Sequence, residues 1–302
     1  MSRSAFLFPG QGAQALGMGQ ALADRFPSVR RMYDEASALL SYDLAAVCWN
    51  GPKQRLDTTA VSQPALYVAS LAALEALRHD EPDAVNHCVA AAGLSLGEYT
   101  ALAFAEALTF ADGLRVVKAR GEAMQAASNA APSGMVSVLG LEAPAVEALC
   151  DDLTAKVGLI QIANLLCPGN TVVSGAKQAC DAIETAVEAK GGRTIRLAVA
   201  GAFHTPFMRP ADETLAAALA GVRIHPPRVP VWSNVDAKPH TDPEEIRGLL
   251  VRQILQRVQW EQTMRGLLAD GCDRFCEIGP GRVLAGLLKR VHRKAEVVNI
   301  SA

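Results

Sequence analysis

Short apolar runs alternate along the chain with longer segments in which apolar residues recur at helical spacing. The runs at residues 5–8 and 88–92 have the length and composition of buried strands, and each leads into a glycine-containing turn. Helical spacing predicts helices over residues 21–40, 63–77, 98–105 and 110–127. This alternation of strands and helices predicts an α/β fold with a parallel sheet.

The rhythm of strands and helices changes near Gly134, and the first pattern returns after Gly201. Between these glycines the pattern predicts strand, helix, strand, strand, helix and strand within about 65 residues, the order of a ferredoxin-like fold. The predicted segments there are residues 135–139, 144–155, 158–164, 171–174, 176–190 and 194–197. Beyond Gly201, strands are predicted over 230–233 and 273–278, with helices over 243–256, 261–269 and 283–290. We therefore expect a discontinuous α/β core of residues 1–130 and 200–302, with an inserted ferredoxin-like subdomain at residues 131–199.

The composition is typical of a globular protein and limits the kinds of partner. The chain has 302 residues, of which 50% are hydrophobic and 20% charged, and its net charge is -2. Because 31 Asp and Glu outnumber 29 Lys and Arg, nucleic acid is not an expected partner. The seven cysteines form no Cys-x-x-Cys pair, which indicates reduced thiols in a cytoplasmic protein and no metal site. No apolar stretch approaches about 18 residues and no signal peptide is evident, so no membrane association is expected.

The most informative segment is Gly-Leu-Ser-Leu-Gly at residues 93–97, between a predicted strand and a predicted helix. In such a sharp turn the glycines avoid steric clashes, and Ser95 is held at the N-terminus of the helix, where N–H groups favour an oxyanion. An ordinary Gly/Ser turn is the alternative. With this context Ser95 is the candidate nucleophile, on an α/β-hydrolase-like parallel-sheet core.

A serine nucleophile needs a base within hydrogen-bond reach, and the chain offers six histidines. His204 follows Gly-Ala-Phe in a turn of small residues before Pro206, where its side chain can project into a cleft. A satisfied turn histidine is the alternative. The others are expected at the surface: His79, His87, His225, His240 and His292.

A second glycine-rich loop, Phe-Pro-Gly-Gln-Gly at residues 8–12, follows the first predicted strand. It fits the dinucleotide fingerprint loosely, but the second strand ending in an acidic residue is missing, so nucleotide binding is disfavoured. The loop can instead line the crevice at the carboxyl end of the sheet. There the backbone N–H groups of Gln11 and Leu96 would form an oxyanion hole.

Motifs spread over the whole chain resemble the malonyl-CoA:acyl carrier protein transacylases of fatty acid and polyketide synthesis. Besides residues 8–12, they are Gly-Leu-Ser-Leu-Gly-Glu-Tyr at 93–99, Gly-Ala-Phe-His-Thr at 201–205, Val-Arg-Gln at 251–253 and Val-Gln-Trp at 258–260. Further likeness lies in Gln-Pro-Ala-Leu at 63–66, Pro-Gly-Asn at 168–170 and Glu-Ile-Gly-Pro-Gly at 277–281. The order and spacing of these motifs match those of the family.

The resemblance implies that Ser95 is the nucleophile and that His204 is the general base and acid. It assigns the oxyanion hole to the N–H groups of Gln11 and Leu96. The residue matching Gln253 would present a backbone carbonyl that fixes the histidine tautomer, in place of the carboxylate of a triad. An imidazole beside a neutral acceptor is less stabilised as a cation than one beside Asp, which suits reversible thioester exchange.

The resemblance also implies the residues that bind the acyl group. Arg120 matches the clamp for the free carboxylate of malonate, for which a two-pronged guanidinium is suited. Phe203 matches the malonyl-selecting form of its motif, because a bulky ring crowds the C2 branch of methylmalonate. Met124 and Asn164 are further candidates for the same pocket.

Two positions depart from the common pattern of this family. The residue before the nucleophile is usually His and here is Leu94, and a polar residue often found two places after Asn164 is replaced by Leu166. Neither change removes a reacting group. Both bear on substrate affinity and rate.

The expected reaction is two-step transfer of a malonyl group from malonyl-CoA to the phosphopantetheine thiol of acyl carrier protein, with no cofactor and no metal. Carrier proteins are acidic, so we expect a basic rim despite the net charge. Its candidate residues are Lys289, Arg290, Arg293, Lys294, Arg193 and Arg196. We expect a monomer, and the sequence leaves open whether the carrier serves fatty acid or polyketide synthesis.

Three other functions compete with transfer. A serine thioesterase or carboxylesterase would need an acidic third member between Ser95 and His204, but Asp151, Asp152 and Asp181 fall in predicted helices of the inserted subdomain. A binding module without turnover is disfavoured by the intact set of Ser95, His204 and Arg120. A dinucleotide enzyme is disfavoured by the missing acidic strand end.

Overall fold

The computed structural model describes residues 3–302, and within them the strands form two separate sheets. The strands are β1 (Ser4–Phe8), β2 (Cys88–Gly93), β3 (Ser133–Leu139), β4 (Ile160–Cys167), β5 (Asn170–Ala176), β6 (Arg193–Arg196), β7 (Val231–Trp232), β8 (Pro239–His240), β9 (Arg274–Ile278) and β10 (Glu296–Ile300).

Helices separate most of the consecutive strands, with the exceptions of β4–β5 and β7–β8. They are α1 (Gln20–Arg25), α2 (Pro27–Leu40), α3 (Leu44–Asn50), α4 (Lys53–Leu56), α5 (Thr59–Asp80), α6 (Pro82–Asn86), α7 (Gly97–Phe104), α8 (Phe110–Ala130), α9 (Ala143–Lys156), α10 (Lys177–Ala189), α11 (Arg209–Ala220), α12 (Pro243–Gln253), α13 (Trp260–Ala269) and α14 (Val283–Val291). A short 3₁₀ helix, Pro206–Met208, precedes α11.

The larger sheet places the loops after β1 and β2 side by side. Its strand order is β10-β9-β1-β2-β7-β8, and all neighbours are parallel except β7 and β8. The register pairs Phe8 with Gly93 at the carboxyl ends of β1 and β2. Because those ends meet at one edge, the two glycine-rich loops are neighbours, as crevice-lining loops of an open α/β sheet are.

The smaller sheet is antiparallel and has the strand order β4-β5-β3-β6. Its chain order of β3, α9, β4, β5, α10 and β6 is the ferredoxin-like order. The predicted fold class, a parallel-dominated α/β core with this second sheet, is confirmed. The subdomain boundaries at residues 131 and 199 stay a prediction, and residues 1–2 of the expected core lie outside the described part.

Helix α5 passes through the middle of the larger core. This 22-residue helix has a mean hydropathy of 1.3 over its most apolar 18-residue window, so it could cross a membrane by length and composition alone. However, 89% of that window is buried in the protein, where α5 packs against α2, α7 and α8. It is therefore the central helix of the α/β core.

A helix break and an edge strand are among the differences from the sequence-based expectation. The single helix predicted over residues 21–40 is two helices, because Phe26 is extended and Pro27 starts α2. Proline has no N–H for the preceding turn and favours the first position of a new helix. No element was predicted after Lys294, yet Glu296–Ile300 form strand β10, which pairs with β9 at the edge of the sheet.

Candidate active site

The backbone around Ser95 makes a sharp turn between β2 and α7. Ser95 has φ 50°, a left-handed conformation that is strained for a residue with a side chain. A Cβ at Gly97 would lie 2.1 Å from the carbonyl oxygen of Phe8, and one at Gly10 would lie 2.3 Å from that of Leu94. Glycine at these two positions lets the loop after β1 pack directly on the turn that carries the serine.

Ser95 and His204 lie within hydrogen-bond reach of each other. The Oγ of Ser95 is 3.0 Å from Nε2 of His204, and the other ring nitrogen, Nδ1, is 2.8 Å from the backbone carbonyl oxygen of Gln253. Since a carbonyl can only accept, Nδ1 carries the proton and Nε2 is left with a lone pair facing the serine hydroxyl. His204 also has a positive φ of 60°, in the loop before the 3₁₀ helix. The pair therefore has the geometry of a nucleophile and its base.

Burial and, to a smaller extent, the nearby Arg120 guanidinium together lower the pKa of His204 to about 4. The carbonyl of Gln253 acts in the opposite sense but does not compensate. At neutral pH the imidazole is therefore uncharged and able to accept a proton.

Arg120 lies on α8 with its side chain almost fully buried beside the serine. Its Nη2 donates to Ser95 Oγ at 3.0 Å and to Oε1 of Gln253 at 2.9 Å, and its Nη1 donates to Oε1 of Gln63 at 2.8 Å. Within the described residues its Nε has no hydrogen-bond partner. The guanidinium also lies 5.3 Å from the centre of the Tyr99 ring. A buried cation with an unused donor next to the nucleophile can bind an anionic group there.

Gln253 joins the serine, the histidine and the arginine. Its backbone carbonyl accepts from His204, while its side-chain Nε2 donates to the backbone oxygen of Ser95 at 3.0 Å and to Glu98 at 2.6 Å. The sequence pointed to its backbone carbonyl alone, so the contacts of the side chain are an addition.

The proposed oxyanion donors, the N–H groups of Gln11 and Leu96, belong to the two adjacent loops. Neither donates to an acceptor anywhere in residues 3–302. The neighbouring N–H of Ser95 is used, because it donates to Oδ1 of Asn234 at 2.6 Å. Two unused N–H groups beside the serine are what a developing oxyanion requires.

The three candidates for the acyl pocket divide into two buried apolar side chains and one polar residue on the small sheet. Phe203 and Met124 are buried, and Met124 accepts a weak hydrogen bond at its sulfur from Nε2 of Gln63 at 3.5 Å. Asn164 lies within β4 at an irregular step and bridges to Val258. It thus belongs to the junction of the small sheet with the segment after α12.

The predicted basic rim is only partly made of free charges. Arg196 is paired with Asp181 and Glu184, and Arg290 donates to the carbonyl of Pro168 at 2.8 Å. Lys289 and Arg193 are exposed.

One histidine expected at the surface is buried instead. His240 on β8 is 8% exposed and is held by Asp236 at 3.1 Å and Glu245 at 3.0 Å. The expectation was wrong because the β7–β8 hairpin folds this residue under α12, which its polar sequence neighbours do not reveal.

Sequence reasoning missed four polar residues that surround the candidate nucleophile and base. Gln63, Glu98 and Asn234 are buried, and Gln161 on β4 donates to the backbone oxygen of His204 at 3.1 Å. Glu98 is the one with a detectable signal, since it is a carboxyl in α7, whose other side chains are uncharged and mostly apolar, and a buried carboxyl must have partners.

Residues 5–301 match the family model described as acyl transferase domain. The chain belongs to the acyl transferase family. This acyl transferase is 43% identical over 97% of its length to the mitochondrial malonyl-CoA-acyl carrier protein transacylase of Mus musculus, of which it covers 80%. The resemblance drawn from the sequence is confirmed.

Solved structures agree with this membership. An acyl-carrier-protein-S-malonyltransferase from Bartonella henselae superposes with a TM-score of 0.95 at 36% identity, covering 99% of this chain and 96% of that one. A second structure is a type II polyketide synthase acyl carrier protein in complex with its malonyl-transacylase. It superposes with a TM-score of 0.93 at 36% identity, over 100% of this chain and 96% of that one.

Proposed function

We propose that this acyl transferase moves a malonyl group from malonyl-CoA to the phosphopantetheine thiol of acyl carrier protein, through a malonyl ester of Ser95. The observation that carries the proposal is the buried Arg120 guanidinium, 3.0 Å from Ser95 Oγ. The names of the relatives point to the same substrates, and one solved relative is bound to its carrier protein.

The first step is acylation of the serine. His204 Nε2 takes the hydroxyl proton as Ser95 Oγ attacks the thioester carbonyl, and the N–H groups of Gln11 and Leu96 stabilise the oxyanion. When the C–S bond breaks, the imidazolium returns the proton to the CoA sulfur. The second step runs the same sequence in reverse with the carrier thiol as nucleophile.

Arg120 selects the acyl group by its charge. A malonyl ester on Ser95 places its free carboxylate next to the guanidinium, where the unpaired Nε–H and the released Nη2–H can both donate to it. A neutral acyl group leaves the buried cation without this anion. The penalty, about 1–3 kcal/mol or more, disfavours neutral substrates by roughly 10- to 100-fold or greater.

No metal or redox cofactor is needed for this chemistry, because a thioester is already activated for attack and the thiol leaves as a stable species. A cytoplasmic location, favoured by seven free and buried cysteines, is likewise part of the proposal. We also propose that the acidic carrier contacts Lys289, Arg290 and Arg193. Arg196 should attract the carrier less, because its charge is paired with two acidic side chains.

The hydrolase alternative lacks its third member. In the described chain, His204 Nδ1 is bonded to the carbonyl of Gln253, and the acidic candidates Asp152 and Asp181 are paired with Lys156 and Arg196 instead. A neutral partner for the histidine therefore favours transfer.

Intact-protein mass after brief mixing with malonyl-CoA tests the proposal. We expect a malonyl adduct on the wild type, none on Ser95→Ala, and its loss on adding holo acyl carrier protein. Rapid release of CoA with no adduct and no acylated carrier would indicate a hydrolase and refute the proposal.

A further inference from the structure

The carboxyl of Glu98 takes no part in the steps above, yet it binds both segments that hold the reacting residues. Glu98 lies in the first turn of α7 and is 3% exposed. Its Oε2 accepts from the backbone N–H of Asn234 at 3.1 Å and from Nε2 of Gln253 at 2.6 Å. One carboxylate oxygen thus ties the loop after β7 to the end of α12.

On the first side, Glu98 acts on the serine through Asn234. The Asn234 side chain accepts from the N–H of Ser95 at 2.6 Å and donates to the carbonyl of Gly93 at 2.8 Å. These two bonds hold the strained turn on both sides of the nucleophile. The carboxyl of Glu98 fixes the backbone from which this amide reaches out.

On the other side, Glu98 acts on the arginine through Gln253. The Gln253 amide points its NH₂ group at Glu98 and its oxygen at Nη2 of Arg120, 2.9 Å away. An amide between an anion and a cation has one favoured orientation, because each charge stabilises the end that faces it. The same residue orients His204 through its backbone carbonyl.

We propose that Glu98 is a positioning residue of this transfer reaction, acting through Gln253 and Asn234. It is also the buried negative charge that the Gln253 amide links to Arg120 before the acyl carboxylate arrives. This inference rests on the proposed function. The malonyl carboxylate brings a second negative charge to a site that holds one cation. An ionised Glu98 therefore weakens malonyl binding, and acetyl, which has no carboxylate, is not affected by this repulsion.

The size of the effect is limited by the acidity of Glu98. Burial raises the pKa of Glu98 to about 7, against hydrogen bonds from Asn234, Gln253 and Ser233 and the charge of Arg120. At pH 8, one unit above this pKa, protonating Glu98 is unfavourable by a factor of about ten. Because protonation removes the repulsion, an ionised Glu98 can weaken malonyl binding by at most about tenfold.

The other groups around Glu98 do not titrate between pH 6 and 8. Burial lowers the pKa of Arg120, from α8, but a guanidinium keeps its proton throughout this range. Burial raises the pKa of Tyr99, the next residue on α7. The pKa of His204, beyond Gln253, is about 4. Of the elements packed on α7, β1, β2 and β7 carry uncharged side chains, and α5 contributes the neutral Gln63 to the site.

Glu98→Gln separates the charge from the hydrogen bonds. Its carbonyl oxygen can still accept from Asn234 and Gln253, while the negative charge is gone. The measurement is the ratio of kcat/KM for malonyl-CoA to that for acetyl-CoA, with saturating holo carrier protein. At pH 8 we expect the ratio to rise by about 3- to 10-fold over the wild type. At pH 6 the wild-type ratio should approach that of the variant.

Glu122→Gln is the matched control, because it removes an exposed negative charge two residues after Arg120 and should leave both rates as in the wild type. Glu98→Ala removes the acceptor as well, and kcat should fall at least tenfold for both substrates, with rescue in Glu98→Gln. If Glu98→Ala does not fold, the ratio in Glu98→Gln still decides.

An unchanged or lower ratio in Glu98→Gln, with the wild type transferring malonyl, would overturn the assignment of Glu98 alone. A wild type that transfers acetyl but not malonyl would overturn both this assignment and the proposed function.

Discussion

Replacement of Arg120 by alanine should turn a malonyl-selective enzyme into one that hardly distinguishes malonyl from acetyl. The side chain is 1% exposed, so its charge acts almost unscreened on a group bound to Ser95. Its Nε–H is unpaired and its Nη2 donates to Ser95 Oγ, so these are the two N–H groups expected to donate to the carboxylate of the proposed malonyl ester. A hydrogen bond to a charged group contributes about 1.5 kcal/mol or more, so the pair contributes about 3 kcal/mol or more. That predicts a loss of at least about 100-fold in kcat/KM for malonyl-CoA.

Acetyl-CoA separates this loss from general damage to the site. Arg120→Ala also leaves Oε1 of Gln63 and of Gln253 without a donor, which lowers the rate with both substrates. The ratio of the two kcat/KM values cancels that part. The assay is transfer to holo carrier protein, followed by intact mass of the carrier. Arg115→Ala on the same helix is the control, because Arg115 is exposed and bound to Asp112.

Equal losses with malonyl-CoA and acetyl-CoA in Arg120→Ala would refute this reasoning. They would make Arg120 a structural residue of the Gln63 and Gln253 network and leave the source of selectivity elsewhere. A loss of stability large enough to explain the result would appear as a lowered Tm in the same variant.

Three further predictions concern the pH dependence and the packing of the site. The rate at which a neutral sulfonyl fluoride sulfonylates Ser95 should be constant from pH 8 to 6 and fall only toward pH 4, because only the neutral His204 accepts a proton. An inflection of this rate near pH 6.5 would contradict the lowered pKa of His204. Burial lowers the pKa of His240, but hydrogen bonds with two carboxylates outweigh burial, so the pKa is raised in the folded protein. Protonated His240 therefore contributes to the free energy of unfolding below pH 6.5, and this contribution is lost as the pH rises through the pKa of the folded state. In urea unfolding, His240→Gln should therefore be destabilised more at pH 6 than at pH 9, and equal losses would be inconsistent with it. Gly10→Ala should lower kcat by about 10- to 100-fold with little change in KM, by moving the Gln11 N–H, whereas Gly248→Ala, which meets open space, should not.

Local sequence patterns were enough to predict the frame of this molecule. The runs at residues 5–8 and 88–92 became β1 and β2, because a buried parallel strand needs a continuous apolar stretch. The ferredoxin-like order also followed from local periodicity. The break at Phe26 was missed although Pro27 marked it, and α3 and β10 were missed because short elements depend on what they pack against.

The candidate nucleophile and base were predicted from their turns, whereas the polar residues around them were not predicted. Ser95 and His204 sit in small-residue turns whose local sequence constrains the backbone, so the sequence carries their placement. The partners of Arg120 and Glu98 come from 57 and 155 positions away in the chain, and no spacing rule links such pairs. The sequence did give one signal for Glu98, which is a carboxyl in a helix of mostly apolar side chains. A buried carboxyl needs hydrogen-bond partners, but only the folded structure shows which residues they are. Buried polar residues in predicted apolar helices are therefore the positions at which to look for support of an active site before its structure is known.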